Sequence, residues 1–347
     1  MRILYVGMAH DYGRPELGQS FEEATFRSTL EGMGQEVVAY DFKARELGIG
    51  REAMHAELET LARRIEPDLV FFFLFEDELP PAAVRRIGDA SGAPTVNWFA
   101  DDHWRFDDFS RLYVDALDWV VTTDPDAVPR WRQAGQESVI LSQWAVNRYA
   151  FRRVTTALEH AVTFVGMPHG SRPQIIEAIR AAGHDVECFG RGWPAGRIGR
   201  ERMVRVFSSS AINLNLSNSS VPNLSLRARI GALVRGIEHR PRPPQIKGRN
   251  FEVPGCGGFL LTERVQHLEM YFELEREVAT FEGTDELIDR IGHWLGHPEE
   301  RAAVAEAGYQ RVVREHTYDH RFAEIFRRMR LPGSFPSPRS PGHVQRT

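Results

Sequence analysis

Cysteine is scarce: Cys188 and Cys256 are the two in 347 residues. Two thiols cannot build a multi-disulfide framework, and their spacing fits no zinc signature, so a reducing cytoplasm is the expected setting. Long apolar runs are missing too, none approaching the roughly 18 residues that a membrane span needs. The opening Met1-Arg-Ile-Leu-Tyr-Val-Gly7 reads as a strand, without a charged leader or a small-residue cleavage site, so a soluble protein is expected. Basic excess is absent as well. A formal net charge of -5 disfavours a chain that coats nucleic acid, and no stable nucleic-acid partner is expected. G-x-G-x-x-G does not occur, which weakens a dinucleotide reading. The densest candidate for a metal, Asp101-Asp102-His103, has no further ligand cluster to complete it, so no metal is expected. What is present is ordinary globular material, 42% hydrophobic and 26% charged. The length suggests two domains of roughly 150 residues each.

Short apolar runs alternate with amphipathic stretches through the first half, the signature of strand-helix units on a parallel sheet. Strands are expected at Ile3 to Gly7, Val37 to Asp41, Leu69 to Phe73, Thr95 to Phe99, Trp119 to Thr123 and Ser138 to Leu141. After an irregular stretch the pattern restarts, Val162-Thr-Phe-Val-Gly166 mirroring Ile3-Leu-Tyr-Val-Gly7. Each ends in a glycine where the chain must turn tightly. The division expected is a first Rossmann-like domain over 1–155, a second over 156–318, a helix over 319–330 returning to the first domain, and a disordered tail over 331–347. The segment Arg227 to Arg249 holds seven basic residues and one acid. It reads as a mobile connection, either a solvated loop, a clamp over a diphosphate, a contact with an anionic acceptor or a peripheral anionic membrane surface, or, last, a contact with nucleic acid.

In an open parallel sheet, ligands bind beyond the carboxyl ends of the strands. The first strand end offers His10 in a glycine-bearing loop. The fourth offers Asp101, Asp102 and His103 among aromatics, with Asp101 placed to orient or deprotonate a hydroxyl and His103 to touch a transferred sugar. One of these carboxylates can instead cap the following helix. In the second half, Gly166, His169 and Arg172 turn from strand to helix and suit a phosphate. Arg191 and Trp193 end the next strand, and Asn215 and Ser217 the one after, a set able to hold a nucleobase. The run from Lys247 to Glu263 then places two cations and a carboxylate before a glycine turn that includes Gly257. Glu252 falls on the same helix side as Arg249, either as its ion-pair partner or as a ligand for ribose. Lys247 and Arg249, with Arg172, carry the charge to stabilise a departing diphosphate.

Phe164-Val-Gly, Phe189-Gly-Arg-Gly-Trp, Ile212-Asn-Leu-Asn-Leu-Ser, Phe251-Glu-Val-Pro-Gly-Cys-Gly-Gly-Phe-Leu-Leu-Thr-Glu and Arg314-Glu-His-Thr-Tyr occur in an order that resembles the CgeB-like group of bacterial glycosyltransferases. The resemblance implies an α/β protein of GT-B fold, two Rossmann-like domains whose parallel sheets face a central cleft. It further implies a nucleotide-diphospho-sugar donor in the C-terminal domain and an acceptor saccharide, natural product or other hydroxyl compound in the N-terminal one, with no metal or other cofactor. Glu252 resembles the second glutamate of the E-x7-E motif in related retaining enzymes. Pro244 stands where the first would be, so retention of configuration is not implied. A sugar-nucleotide epimerase on the same fold and a non-catalytic nucleotide-sugar-binding module are the competing readings.

Overall fold

The structure, a computed structural model, describes residues 1–217 and 244–332. Asn218, the basic segment as far as 243 and the tail from 333 lie outside the described residues. The chain forms two compact units, one of Met1–Gln143 together with the chain from Thr317 onward, the other of Trp144–His316. Residues 144–155, expected with the first domain, therefore group with the second unit. Among the described residues no helix is long and apolar enough to cross a membrane.

In the first unit, β1 (Arg2–Gly7), β2 (Glu36–Asp41), β3 (Leu69–Phe72), β4 (Thr95–Phe99), β5 (Trp119–Thr122) and β6 (Val139–Leu141) form a parallel sheet in the order β2-β1-β3-β4-β5-β6. Every residue of β3 and β4 is buried, as continuous apolar strands covered on both faces should be. The chain leaves β1 towards one edge and returns past it to β3, so the crevice of reversed strand order lies between β1 and β3. Ser20 starts the helix that follows β1: its hydroxyl accepts from the Glu23 amide at 3.0 Å and donates to the Met8 carbonyl at 2.5 Å. That helix is π-helical over Glu23–Arg27, a form that costs hydrogen-bond geometry and recurs at functional sites.

The helix Tyr318–Arg328 belongs to this unit. Thr317 and His320 form a capping box at its start, and the stripe Tyr318, Phe322, Ile325 and Phe326 is fully buried. Phe322 meets Phe26, Phe71 and Trp98 at ring separations of 5.7, 5.8 and 6.4 Å. Replacing Phe322 by Ala removes the centre of this aromatic cluster, with an expected loss of about 3–5 kcal/mol of stability in urea unfolding. A loss below about 1 kcal/mol would show that the helix is only peripherally docked.

In the second unit, β7 (His160–Val165), β8 (Glu187–Phe189), β9 (Ser210–Asn215), β10 (Leu260–Glu263) and β11 (Ala279–Phe281) form a parallel sheet in the order β11-β10-β9-β7-β8. Its crevice of reversed order lies between β7 and β9. The helix Arg249–Gly255 leads directly into β10. A helix that feeds a parallel strand runs opposite to it, so Arg249 stands at the carboxyl edge of the sheet and the turn after Gly255 at the amino edge. That turn is tight: Gly257 has φ of 74°, and a Cβ on Gly258 would lie 2.3 Å from the Phe207 carbonyl oxygen.

Candidate active site

At the carboxyl edge of the second sheet, two guanidinium groups bracket Gly166. Arg172, 9% exposed, donates through Nε and Nη2 to the Leu216 carbonyl at the end of β9, and through Nη1 to the Met167 carbonyl beyond β7. It therefore ties together the two strand ends that flank the crevice. Burial pushes its basicity down to about 10, with the Arg249 charge adding to the effect and Glu263 opposing it. Arg249 approaches from the other side, its Nε 3.4 Å from the Val165 carbonyl and its Nη1 hydrogen-bonded to Glu252 Oε2. Glu252 is 2% exposed. Its partner among the described residues is Arg249, which holds Oε2.

The neighbouring loops are anchored onto one another. Gly190 has φ of 146°, and a Cβ there would lie 2.2 Å from the Gly166 carbonyl oxygen, so only glycine allows the approach. Trp193 donates its indole N–H to that same Gly166 oxygen at 2.8 Å and packs edge-on against Phe164. Its N–H serves to pin two loops rather than to meet a base edge. His169 is held below the usual imidazole range by partial burial and by the charges of Arg172 and Arg191. The exposed Arg191 has Nη2 3.8 Å from Met167 Sδ. Arg172, Arg191 and Arg249 thus gather positive potential around the Gly166 turn, as an anion requires.

Two of the expected contacts are corrected. The Asn215 amide nitrogen donates to Asn250 Oδ1 at 3.1 Å and to Thr262 Oγ1 at 3.0 Å, while Asn250 Oδ1 also accepts from the Lys247 amide at 2.9 Å. Asn215 thereby braces the start of the Arg249–Gly255 helix instead of offering its amide nitrogen to a nucleobase. Asn250, unnoticed in the sequence, is the hub of that bracing. Gly257 lies at the amino edge of the sheet, the wrong end for a ligand, and its role is the turn. The buried Ser217 hydroxyl stands at the end of β9 with no partner among the described residues.

In the first unit the structure separates the two adjacent carboxylates. Asp102 is fully buried and accepts the Trp131 indole N–H at 2.8 Å. Asp101 is half-buried, its side chain does not cap the following helix, and it lines a pocket at the ends of β3 and β4. His103 sits in the short helix Asp102–Arg105. His10 pairs with Gln19 in a bridge that closes the loop after β1, and β3 lies between its strand and that of Asp101. Glu22 went unnoticed in the sequence, although Ser20 signalled the helix start just before it. Burial pushes its carboxyl up to about 7, the Ser20 hydroxyl opposing and the Asp11 charge adding.

Burial also pushes the Asp102 carboxyl up to about 6, opposed by the nearby Ser110 and Thr122 hydroxyls and the Trp131 indole N–H. A carboxyl whose folded pKa exceeds its unfolded value contributes stability that is complete below the unfolded value near 3.8 and is lost as pH rises through about 6. Acidification from pH 7 towards 4 is therefore expected to stabilise the protein relative to its Asp102→Asn variant by on the order of 3 kcal/mol. Urea unfolding across that range checks this. Parallel curves for the two proteins would rule out the assignment.

Residues 172–327 match the family model described as glycosyl transferase-like. The spore protein CgeB of Bacillus subtilis (strain 168) is 21% identical over 248 residues, which is 67% of this chain and 74% of that protein. Among solved structures, HepE of Anabaena in complex with UDP-glucose superposes with a TM-score of 0.63 at 11% identity, covering 95% of this chain and 99% of that one. Sucrose-phosphate synthase from Thermosynechococcus elongatus superposes with a TM-score of 0.63 at 12% identity, covering 94% and 98%.

Proposed function

We propose that this chain, a CgeB-like glycosyltransferase of GT-B fold, takes its sugar from a nucleoside diphosphate held at the carboxyl edge of the second sheet and passes it to an acceptor hydroxyl handled by the first unit. The observation that carries the reading is the pair of guanidiniums around Gly166, with Glu252 held by one of them. In this reading the diphosphate lies against Arg249 and the Gly166 turn, with Lys247, His169 and Arg191 adding hydrogen-bond donors and positive potential. Arg172 fixes the strand ends and contributes charge. Glu252 Oε1 receives a ribose hydroxyl, and Trp193 and Ser217 border the nucleoside.

Glycosyl transfer builds negative charge on the leaving diphosphate while the sugar becomes oxocarbenium-like. Fixed cations meet that charge without reorganising, so the reaction is proposed to run without a metal. On the acceptor side Asp101 orients or deprotonates the attacking hydroxyl, His103 approaches the sugar, and His10 borders the acceptor from the loop after β1. The UDP-glucose bound by HepE makes uridine the first base to try. Glu252→Gln keeps the size and a hydrogen-bonding group but removes the charge. It is expected to weaken UDP binding by about 1–3 kcal/mol in calorimetry with the fold retained. Unchanged affinity would remove Glu252 from the donor site.

A further inference from the structure

The pocket at the carboxyl ends of β3 and β4 has a second polar group besides Asp101. Phe73, Leu74, Phe75, Phe99 and Phe109 supply its apolar wall, and Arg105 reaches into it. The Arg105 guanidinium lies over the Phe109 ring at 4.3 Å and the Phe75 ring at 5.3 Å, and its Nη1 donates to the Phe75 carbonyl. Stacking and that bond fix its plane. Among the described residues it makes no ion pair, although Asp101 lines the same pocket, so a half-buried cation with its remaining N–H donors unassigned faces the space. A planar fork held by aromatic rings recognises a planar or tetrahedral oxyanion in a way that a flexible lysine does not.

From this the geometry points to an anionic subsite at the mouth of this small pocket: Arg105 binds a carboxylate or phosphate borne by the acceptor, next to the hydroxyl that Asp101 receives. The acceptor class is thus a hydroxyl compound with a nearby acidic group, such as a uronic acid or a sugar phosphate. This rests on the glycosyltransferase reading for the word acceptor, whereas the anion site itself does not.

The test uses the full chain saturated with UDP, so that anions do not report on the donor site. Glucuronate, glucose 6-phosphate and uncharged glucose are titrated in calorimetry against wild type, Arg105→Gln and Arg105→Lys. At least one of the two anions is expected to bind at least tenfold more tightly than glucose. Arg105→Gln is expected to lose that margin, and Arg105→Lys to keep only part of it, while UDP affinity stays unchanged in both variants. A preference for glucuronate identifies a carboxylate, and one for glucose 6-phosphate a phosphate. Absence of anion binding, equal binding of glucose, or an unchanged margin in Arg105→Gln would overturn the proposal. Failure of wild type to bind UDP would instead sink the donor reading and leave the anion comparison, run without UDP, to stand or fall by itself.

Discussion

Arg249→Ala is expected to lower the turnover number by about 10²–10³, the scale of one preorganised group aimed at developing charge, while donor affinity falls by less than about tenfold. The split follows from when the charge appears. A bound nucleotide sugar already carries its diphosphate charge, but bond cleavage adds more to the oxygen that leaves, so a cation placed there gains most in the transition state. Arg249 is placed for this by its contact with the Val165 carbonyl and by Glu252, which holds one side of its guanidinium. The variant also strands Glu252, a buried carboxylate, so part of any loss can reflect structural damage. Arg249→Lys, which keeps a cation without the fork, separates the two: partial recovery of turnover with an unchanged melting temperature supports leaving-group stabilisation. Equal losses in affinity and turnover would show that Arg249 only binds the donor.

Asp101→Asn is expected to reduce turnover by about 10²–10⁴, the range for a positioned proton acceptor, with nucleoside-diphosphate binding unchanged. The substitution preserves size and one hydrogen-bond acceptor while removing basicity. Asp102 next door cannot take over, because it is fully buried and holds the Trp131 indole. The measurement is nucleoside-diphosphate release with any acceptor that supports turnover in the wild type. Full activity in the variant would move the acceptor chemistry elsewhere, and Glu22, whose carboxyl is pushed up to about 7, would be the next residue to test.

Much of the architecture is visible in the order of residues because burial on both faces leaves a direct trace. Leu69-Val-Phe-Phe and Ile212-Asn-Leu-Asn-Leu are strands by composition and period, and a glycine after β1 and β7 announces each turn to a helix. The cation-rich edge was legible for a related reason, since Arg172 and Arg249 immediately follow or precede strand and helix signals. What the order of residues does not carry is direction. Asp101 and Asp102 are chemically identical neighbours, and only the packing of Trp131 decides which one turns inward. Gly257 follows the Glu252 helix within one turn yet sits at the opposite edge of the sheet, a consequence of helix polarity that proximity in sequence conceals. Asn215 carries the right groups for a base edge, but Asn250 and Thr262 take its amide nitrogen through long-range contacts. Arg105 drew no attention because its aromatic neighbours Phe75 and Phe109 come from separate loops.

The second unit is, in sequence, an insertion into the first, whose core is closed by the helix Tyr318–Arg328. Synthesis therefore imposes an order. After residue 143 emerges, the aromatic face of Phe26, Phe71 and Trp98 waits for Phe322 while the whole second unit is made. At roughly 5–20 residues per second that wait lasts roughly ten to forty seconds. Through that interval the aromatic face of the first unit lacks its cover, and its completion is timed by synthesis of the helix Tyr318–Arg328 rather than by completion of its own sheet.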